Sequence, residues 1–238
     1  MPALTKVFRR LEKKYIITEA QYRALLQALE GHIVPDDFGE STINNIYFDS
    51  PDYRLIRASI EKPTVYKEKL RIRSYGVPEV DSTVFVELKK KYKGIVYKRR
   101  VDMTYEQAIN YLYRHKAPPV KNQVTDEIDS FMAFYKSLRP AVSLFYDRTA
   151  YYSKDDPELR LTFDTNIRFR KNQLDLRYGD YGTVIMDKDR YILEIKCIDA
   201  MPLWLTGELD RLKIFPSSYS KYATAYNLML SQGEIKFK

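Results

Sequence analysis

The sequence is poor in the residues that build several common kinds of site. Among 238 residues there is one cysteine, Cys197, which excludes a disulfide framework and a multi-cysteine zinc site. Two histidines likewise exclude a His-rich metal site. Only eight glycines are present, and neither G-x-x-x-x-G-K-[ST] nor G-x-G-x-x-G occurs, so no glycine-rich phosphate loop is predicted. Asp37-Phe38-Gly39 has no other kinase motif around it and does not indicate a kinase.

Long apolar runs are also missing. No run approaches the roughly 18 residues of a membrane span, and residues 1–10 lack the apolar stretch of a signal peptide. Together with the single cysteine, this makes a cytoplasmic protein the default expectation. What the sequence does contain is charge: 40 Lys and Arg against 32 Asp and Glu, a net charge of +8. With 45% hydrophobic residues it can bury a sizeable core, and we predict one domain over residues 1–238.

Hydrophobic periodicity predicts four helices. The first begins after a capping box formed by Thr18 and Gln21 and ends at Gly31. The others are predicted over 104–115, 125–138 and 220–230. Runs rich in Val, Ile, Tyr, Phe and Thr predict strands at 7–16, 43–49, 65–75, 83–91, 94–102, 142–152, 159–169, 182–186 and 191–197. The pattern indicates an α+β fold with an antiparallel-rich sheet and inserted helices.

Basic residues recur at every second position of these predicted strands, which places them on one face of the sheet. The opposite face is mostly apolar, as at Leu70 and Ile72. Two carboxylates, Glu87 and Glu194, share the basic faces. The basic members of the alternating sets are Lys67, Lys69, Arg71 and Arg73, then Lys89 and Lys91, Lys98 and Arg100, Arg148, Arg160, and Lys196.

Two interpretations fit this alternation. The polar face of a half-buried antiparallel sheet can simply meet water. Such a face usually mixes both signs, however, because like charges on neighbouring strands repel. If the sheet instead closes into a barrel, the apolar faces pack outward against helices and the charged faces line a channel. A channel of this kind is tolerated when its charges are solvated or paired with a polyanion.

The chemistry of the alternating residues suits phosphate. Arginine offers a planar fork that matches phosphate oxygens, lysine offers a point charge, and strands fix both rigidly. Glu87 and Glu194 then have two interpretations. Each either neutralises a neighbouring lysine or binds a divalent cation, Mg²⁺ or Mn²⁺, that also binds phosphate. Cys197 alternates with Lys196 and is predicted to be a buried thiol.

Eight short motifs, taken in order and spacing, resemble the VTC-type polyphosphate polymerase domain, a branch of the triphosphate tunnel metalloenzymes. The resemblance covers nearly the whole chain. It implies an antiparallel β-barrel of about eight strands that forms a basic tunnel flanked by helices. The motifs are Arg10-Leu11-Glu12-Lys13-Lys14-Tyr15, Ile46-Tyr47-Phe48-Asp49-Ser50, Lys69-Leu70-Arg71-Ile72-Arg73, Val86-Glu87-Leu88-Lys89, Tyr146-Asp147-Arg148, Leu159-Arg160-Leu161-Thr162-Phe163-Asp164, Leu193-Glu194-Ile195-Lys196 and Ser220-Lys221-Tyr222.

Carried over residue by residue, the resemblance implies which side chains bind the substrate. Tyr146 and Ser220 resemble hydrogen-bond donors to the phosphate chain, and Glu194 resembles the metal ligand, with Glu12 and Glu87 as weaker candidates. Strand alternation alone adds Arg100, and Lys196 is added because it shares the face of Glu194. The phosphate-gripping residues implied are Lys14, Lys89, Lys98 and Lys221, together with Arg71, Arg73, Arg148 and Arg160, which we expect to clamp the transferring group.

The resemblance also implies a reaction. ATP would donate its γ-phosphate to a growing inorganic polyphosphate, with Mg²⁺ or Mn²⁺ as cofactor and no duplex nucleic acid as partner, because a duplex cannot enter a narrow barrel. Nothing in the sequence supports a membrane partner. The sister branch of cyclases and triphosphatases typically begins with Glu-x-Glu-x-Lys, where this chain has Arg10, Glu12 and Lys14. Replacing an acid by a base favours phosphoryl transfer over hydrolysis. A triphosphatase and a non-catalytic polyphosphate-binding module are the alternatives.

Overall fold

Strands dominate the chain, and helices fall between groups of them. The computed structural model describes residues 10–61, 65–93 and 95–235, and within these ranges there are nine strands and six α-helices. The strands are β1 (Arg10–Thr18), β2 (Ile33–Asp49), β3 (Tyr66–Tyr75), β4 (Thr83–Tyr92), β5 (Ile95–Thr104), β6 (Arg139–Ser153), β7 (Arg160–Arg170), β8 (Thr183–Val184) and β9 (Arg190–Ile198). The helices are α1 (Glu19–Ala28), α2 (Arg54–Ile60), α3 (Tyr105–Arg114), α4 (Gln123–Tyr135), α5 (Leu203–Arg211) and α6 (Lys221–Ser231).

The predicted helix starts are confirmed where the sequence has a capping box. Thr18 with Gln21 caps α1, and Thr104 with Gln107 caps α3. The helix predicted to begin at Thr125 begins two residues earlier, because Asn122 is the N-cap and Thr125 completes its capping box. The start of the predicted strand 7–16 and Gly94 lie outside the described residues, as does the side chain of Arg10.

Helices α2 and α5 were not predicted, because neither has a local start signal in the sequence. The N-cap residues of α2 and α5 are Tyr53 and Pro202, and neither caps its helix through its side chain. Strand β2 begins at Ile33, ten residues before the predicted start at 43. Its first part was not predicted as strand because it contains Pro35, Asp36 and Gly39, which are residues typical of turns. The strand predicted at 182–186 is shortened to Thr183–Val184.

The strands lie in the order β1-β9-β7-β6-β2-β3-β4-β5, with β8 beside β7. Every pair with a described register is antiparallel. The predicted α+β class, with about eight antiparallel strands and flanking helices, is therefore confirmed, and it is consistent with the tunnel fold that the resemblance implied. In the described part of the chain, no helix is both long enough and apolar enough to cross a membrane.

The residues group into two compact units. Unit 1 comprises 1–41, 147–166 and 186–219, and unit 2 comprises 42–146, 167–185 and 220–238. The single domain expected over 1–238 stays a prediction. In unit 1, apolar residues of β1, β7 and β9 pack with α1 and α5, and Cys197 is buried in this core, as predicted. In unit 2, Leu70, Ile72, Val86 and Leu88 pack with α3 and α4.

The last residue of β2, Asp49, joins two helices of unit 2 to the sheet. Its fully buried carboxylate accepts hydrogen bonds from the backbone N–H groups of Ser50, Leu55 and Ile56 at 2.8–3.0 Å. It also accepts one from the Tyr222 hydroxyl of α6 at 2.9 Å. Burial raises the pKa of Asp49, although these donors oppose the shift. Asp49 thereby satisfies the start of α2, which has no capping side chain.

Asp49→Ala should destabilise the fold by about 3 kcal/mol, because it leaves buried backbone donors and a buried hydroxyl without an acceptor. Urea unfolding followed by circular dichroism measures the loss. Asp81→Ala is the control, since Asp81 is exposed, and its effect should stay below about 0.5 kcal/mol. Equal midpoints for the two variants would show that Asp49 does not support these helices.

Candidate functional site

The predicted site residues form two groups, one in each unit. Unit 2 contains Arg71, Arg73, Glu87, Lys89, Lys98, Arg100, Tyr146, Ser220 and Lys221, and unit 1 contains Glu12, Lys14, Arg148, Arg160, Glu194 and Lys196.

Glu87 is the centre of the unit 2 group. It is only 1% exposed, and it lies directly opposite Arg71 of β3 and Arg100 of β5 in the strand register. Its Oε2 is 2.6 Å from Arg71 Nη2, and its Oε1 is 2.7 Å from Lys98 Nζ and 3.4 Å from Arg100 Nε. Arg73 Nε lies 3.9 Å away. Four predicted phosphate-binding cations therefore surround one buried carboxylate, which supports the neutralising interpretation of Glu87.

The two arginines of β3 are fixed by their neighbours but keep donors for a ligand. Arg71 donates from Nε to Glu87 at 2.7 Å and from Nη1 to the Tyr47 hydroxyl at 2.9 Å. Arg73 donates from Nε to Asn45 Oδ1 at 2.9 Å and from Nη2 to the Tyr146 hydroxyl at 3.0 Å. A guanidinium has five N–H donors, and Arg71 directs three of them at Glu87 and Tyr47. The remaining pair, one on each terminal nitrogen, suits two phosphate oxygens.

The positive field of this group changes the ionisation of its acids. Burial would raise the pKa of Glu87, but Arg71, Arg73 and Lys98 outweigh it and hold the pKa below its ordinary value. Burial would also raise the pKa of Tyr47, yet the charges of Arg71, Lys69 and Arg73 lower it to about 7. For Lys98, burial dominates and lowers the pKa despite the contact with Glu87. Tyr47 is thus partly ionised near neutral pH.

The start of α6 adds two predicted residues to the unit 2 group. Ser220 is the N-cap, and its Oγ accepts a hydrogen bond from Lys69 Nζ at 3.1 Å. Lys221 Nζ lies over the Tyr146 ring, 4.2 Å from its centroid. Lys89 lies between Lys69 and Lys98 in the strand register, on the face of Glu87. All nine predicted residues of unit 2 are therefore on or beside this face.

In unit 1, Glu194 lies among lysines of β1 and β9. Its Oε1 is 2.9 Å from Lys196 Nζ, and its Oε2 is 3.9 Å from Lys14 Nζ. Glu12 also approaches Lys14, at 3.8 Å. Burial would raise the pKa of Glu194, but the charges of Lys196, Lys14 and Arg148 outweigh it and lower the pKa. Glu194 is an ionised, nearly buried carboxylate, 8% exposed.

The two predicted arginines of unit 1 are each anchored by a buried aspartate. Arg148 makes a two-point contact with Asp164, from Nε at 2.6 Å and from Nη2 at 2.8 Å. Arg160 Nη2 donates to Asp36 at 2.7 Å. Arg160 Nε is buried and has no hydrogen-bond partner among the described residues, so it is a donor that an anion can satisfy.

The side chains around Glu194 fit a divalent metal. Carboxylates of Glu12 and Glu194 lie within 4 Å of the same ammonium, so a cation is already accommodated between them. Thr162 is the direct register partner of Glu194, and its buried hydroxyl has no hydrogen-bond partner in the described structure. No cluster of three or more acidic, Cys or His ligands occurs among the described residues. Magnesium often takes only one or two carboxylates and obtains its other ligands from water and substrate phosphates.

Sequence reasoning missed several residues of these groups. Asp36 and Asn45 were not predicted, because nothing local indicates that they bind arginines on distant strands. Tyr47 and Asp164 lie inside motifs that resemble the family but received no role. Thr162 and Asp164 stand at alternate positions after Arg160 in β7, so the period of two is the signal that could have placed them on its face.

Comparison with known proteins gives one family and several solved structures of similar fold. A family model described as "VTC domain" matches residues 9–230. No curated protein matches the chain. A candidate adenylate cyclase from Bacillus halodurans has a similar structure, with a TM-score of 0.57 and 14% identity over 89% of this chain and 93% of that one. A candidate adenylyl cyclase from Hippeastrum, described with a dominant triphosphatase activity, has a TM-score of 0.55 and 16% identity over 96% and 98%. At these identities the likeness concerns the fold alone.

The ionisation of Tyr47 can be observed directly. Because its pKa is lowered to about 7, ultraviolet absorbance should show one tyrosinate forming near neutral pH in the phosphate-free protein. Tyr47→Phe should remove this step, and Tyr178→Phe, which deletes an exposed tyrosine, should leave it in place. Absence of the step from the unsubstituted protein would show that the cationic field at Tyr47 is weaker than described.

Proposed function

Because the chain belongs to the VTC domain family, we propose that it is a metal-dependent phosphotransferase that adds the γ-phosphate of ATP to a growing inorganic polyphosphate. The observation that carries this proposal is the excess of cations fixed around Glu87. Four basic side chains contact one carboxylate, and Lys69 and Lys89 extend the same face. A polyanion is the ligand that best matches such a surface.

The chemistry requires little beyond positioning and charge. Phosphoryl transfer proceeds through a transition state whose charge is spread over oxygens, so fixed donors can supply most of the catalysis. In this proposal Arg71 and Arg73 of unit 2 stabilise phosphate oxygens during transfer, and Arg148 and Arg160 of unit 1 are the further arginines assigned to this role. Lys14, Lys89, Lys98, Arg100, Lys196 and Lys221 bind the chain, and Tyr146 and Ser220 donate hydrogen bonds to it.

Glu194 would hold the divalent metal, Mn²⁺ or Mg²⁺, with Glu12 and the Thr162 hydroxyl beside it. When bound, the metal would neutralise phosphate oxygens of the nucleotide. Without metal, Lys196 and Lys14 neutralise the carboxylate of Glu194, since both ammonium groups lie near it. A cytoplasmic location and the absence of duplex nucleic acid as a partner stay predictions.

A triphosphatase is the second candidate. It is favoured by the pair of carboxylates, Glu12 and Glu194, that approach one cation position, because hydrolysis needs metal and activated water. The Hippeastrum protein of similar fold is described with a dominant triphosphatase activity. A non-catalytic polyphosphate-binding module would use the same cations without turnover.

Product analysis separates these functions. The protein should be incubated with ATP and Mn²⁺, with and without a pyrophosphate primer, and the products resolved by gel electrophoresis and phosphorus NMR. A polymerase yields ADP and long phosphate chains, which is the expected result. Free phosphate as the main product would establish hydrolysis instead, and binding of polyphosphate without any turnover would establish a binding module.

Glu194→Gln tests the proposed metal ligand. Chain growth should fall on the order of 100-fold, because the amide keeps the shape of the side chain but loses the charge that binds a hard cation. The circular dichroism spectrum should be unchanged. Glu30→Gln, at an exposed position of unit 1, is the control and should retain full activity. Metal-dependent chain growth at the normal rate in Glu194→Gln would contradict the assignment.

Arg71→Lys tests the need for a guanidinium at the centre of the unit 2 group. A lysine cannot contact Glu87 and Tyr47 and still present two donors to phosphate, so kcat should fall by about tenfold or more. The matched control is Arg99→Lys, because Arg99 lies on the opposite face and pairs with Glu127 of α4. Equal rates for both variants would show that the fork of Arg71 is not used.

A further inference from the structure

Two aromatic side chains lie on the face of Glu87 near the end of β3. Tyr75 stands two residues after Arg73, about 7 Å along the strand, and Phe85 of β4 is the direct register partner of Arg73. The two rings meet edge to face, with their centroids 5.9 Å apart. With Arg100 of β5, which contacts both rings, they form a group that we call the aromatic end.

Arg100 joins these rings to the cations around Glu87. Its Nε lies 3.4 Å from Glu87 Oε1, and its Nη2 donates a hydrogen bond to the Tyr75 hydroxyl at 3.4 Å. Its Cζ lies over the Phe85 ring, 3.5 Å from the centroid. No second ring of the described residues stacks on Arg100, whose side chain is 34% exposed. Because a guanidinium plane stacks well on nucleobases, Arg100 offers both a charge for phosphate and a flat surface beside it.

The rings of the aromatic end are accessible to a ligand. Tyr75 is 55% exposed and Phe85 is partly exposed. On the opposite face at the same level of the sheet, Val84 and Met103 are buried in the core that contains α3. A flat ligand that covered Tyr75 would remove apolar ring surface from water, which is favourable.

The charge beside the aromatic end disfavours a phosphate there. Asp102 is the direct register partner of Phe85, and it is exposed. It makes no hydrogen bond or ion pair with another described residue. A carboxylate repels phosphate but accepts hydrogen bonds from amino and hydroxyl groups. A nucleoside has both kinds of group as well as a flat base, so it matches the aromatic end better than another phosphate does.

We propose that the aromatic end binds the nucleoside of ATP, with the base stacked on Arg100 beside Tyr75 and with Asp102 accepting hydrogen bonds from its amino or hydroxyl groups. The site rests on the proposed function and deepens it. A nucleoside held here directs the phosphates of the same molecule along β3 toward Arg73 and the cations around Glu87. Affinity for the donor then depends on its nucleoside as well as on its phosphates.

Binding measurements on the full chain test this site. Affinities for ATP and tripolyphosphate, which share three phosphates and differ by the nucleoside, are measured by isothermal titration calorimetry. Metal is removed with EDTA, so that metal-dependent transfer does not consume ATP. The variants are Tyr75→Ala, the ring-retaining Tyr75→Phe, Asp102→Asn and Tyr97→Ala. Tyr97 is the matched control, because it is 48% exposed but lies on the opposite face of the sheet, paired with Lys90.

Tyr75→Ala should weaken binding of ATP by about tenfold, as expected for a lost contact between a base and an aromatic ring, and leave tripolyphosphate unchanged. Tyr75→Phe should keep the affinity for ATP, because the ring and not the hydroxyl contacts the base. Asp102→Asn should weaken ATP by about threefold, since an amide is a weaker acceptor than a carboxylate, without weakening tripolyphosphate. Tyr97→Ala should bind both ligands like the unsubstituted protein.

Several results would overturn the nucleoside site. They are an unchanged affinity for ATP in Tyr75→Ala, an equal loss of ATP and tripolyphosphate, a loss in Tyr75→Phe as large as in Tyr75→Ala, or the same loss in Tyr97→Ala. An unchanged affinity for ATP in Asp102→Asn would remove the carboxylate from the site. If any of these occurs while the unsubstituted protein still makes long phosphate chains from ATP, the site fails and the proposed function stands. If the unsubstituted protein binds neither ligand, the proposed function fails as well.

Discussion

The burial of Glu87 among four cations is the interaction on which the unit 2 site depends. A carboxylate that is 1% exposed would be very unfavourable alone, and it is stabilised because Arg71, Arg73, Lys98 and Arg100 surround it. The cations depend on Glu87 in return, since they would otherwise repel one another on adjacent strands. One negative charge cannot neutralise four positive ones. The group therefore has a fixed geometry and a net positive charge, which are the two properties that a phosphate site requires.

Unit 1 follows the same physical rule with different residues. Arg148 and Arg160 are held by Asp164 and Asp36, and Lys196 is held by Glu194. In each pair the acid is more buried than the base, so the base keeps access to solvent or ligand while the acid fixes its position. Such anchoring reduces the conformational entropy that a long side chain would lose when a ligand binds. The acids that balance these cations are therefore more buried than the cations themselves.

Much of this arrangement could be predicted from the sequence because strands have a period of two. The alternation in residues 65–75 correctly separated Arg71 and Arg73 from Leu70 and Ile72, and the family resemblance is confirmed by the match over residues 9–230. What could not be predicted depends on contacts between distant segments. Asp36 lies 124 positions from Arg160, and Tyr222 lies 173 positions from Asp49, so no local pattern reports either contact. The same limit hid α2, whose first turn is satisfied by Asp49 of the preceding strand rather than by a capping residue of its own.

The most direct test of the account is a crystal structure of the protein with tripolyphosphate and Mn²⁺. We predict phosphate oxygens within hydrogen-bonding distance of the guanidinium groups of Arg71 and Arg73, on the face of Glu87. An anomalous difference peak for manganese should lie at the carboxylate of Glu194. Phosphate bound on the opposite face, beside Lys90 and Arg99, or manganese bound away from Glu194, would contradict the central claim that the strand-borne cations form the substrate site.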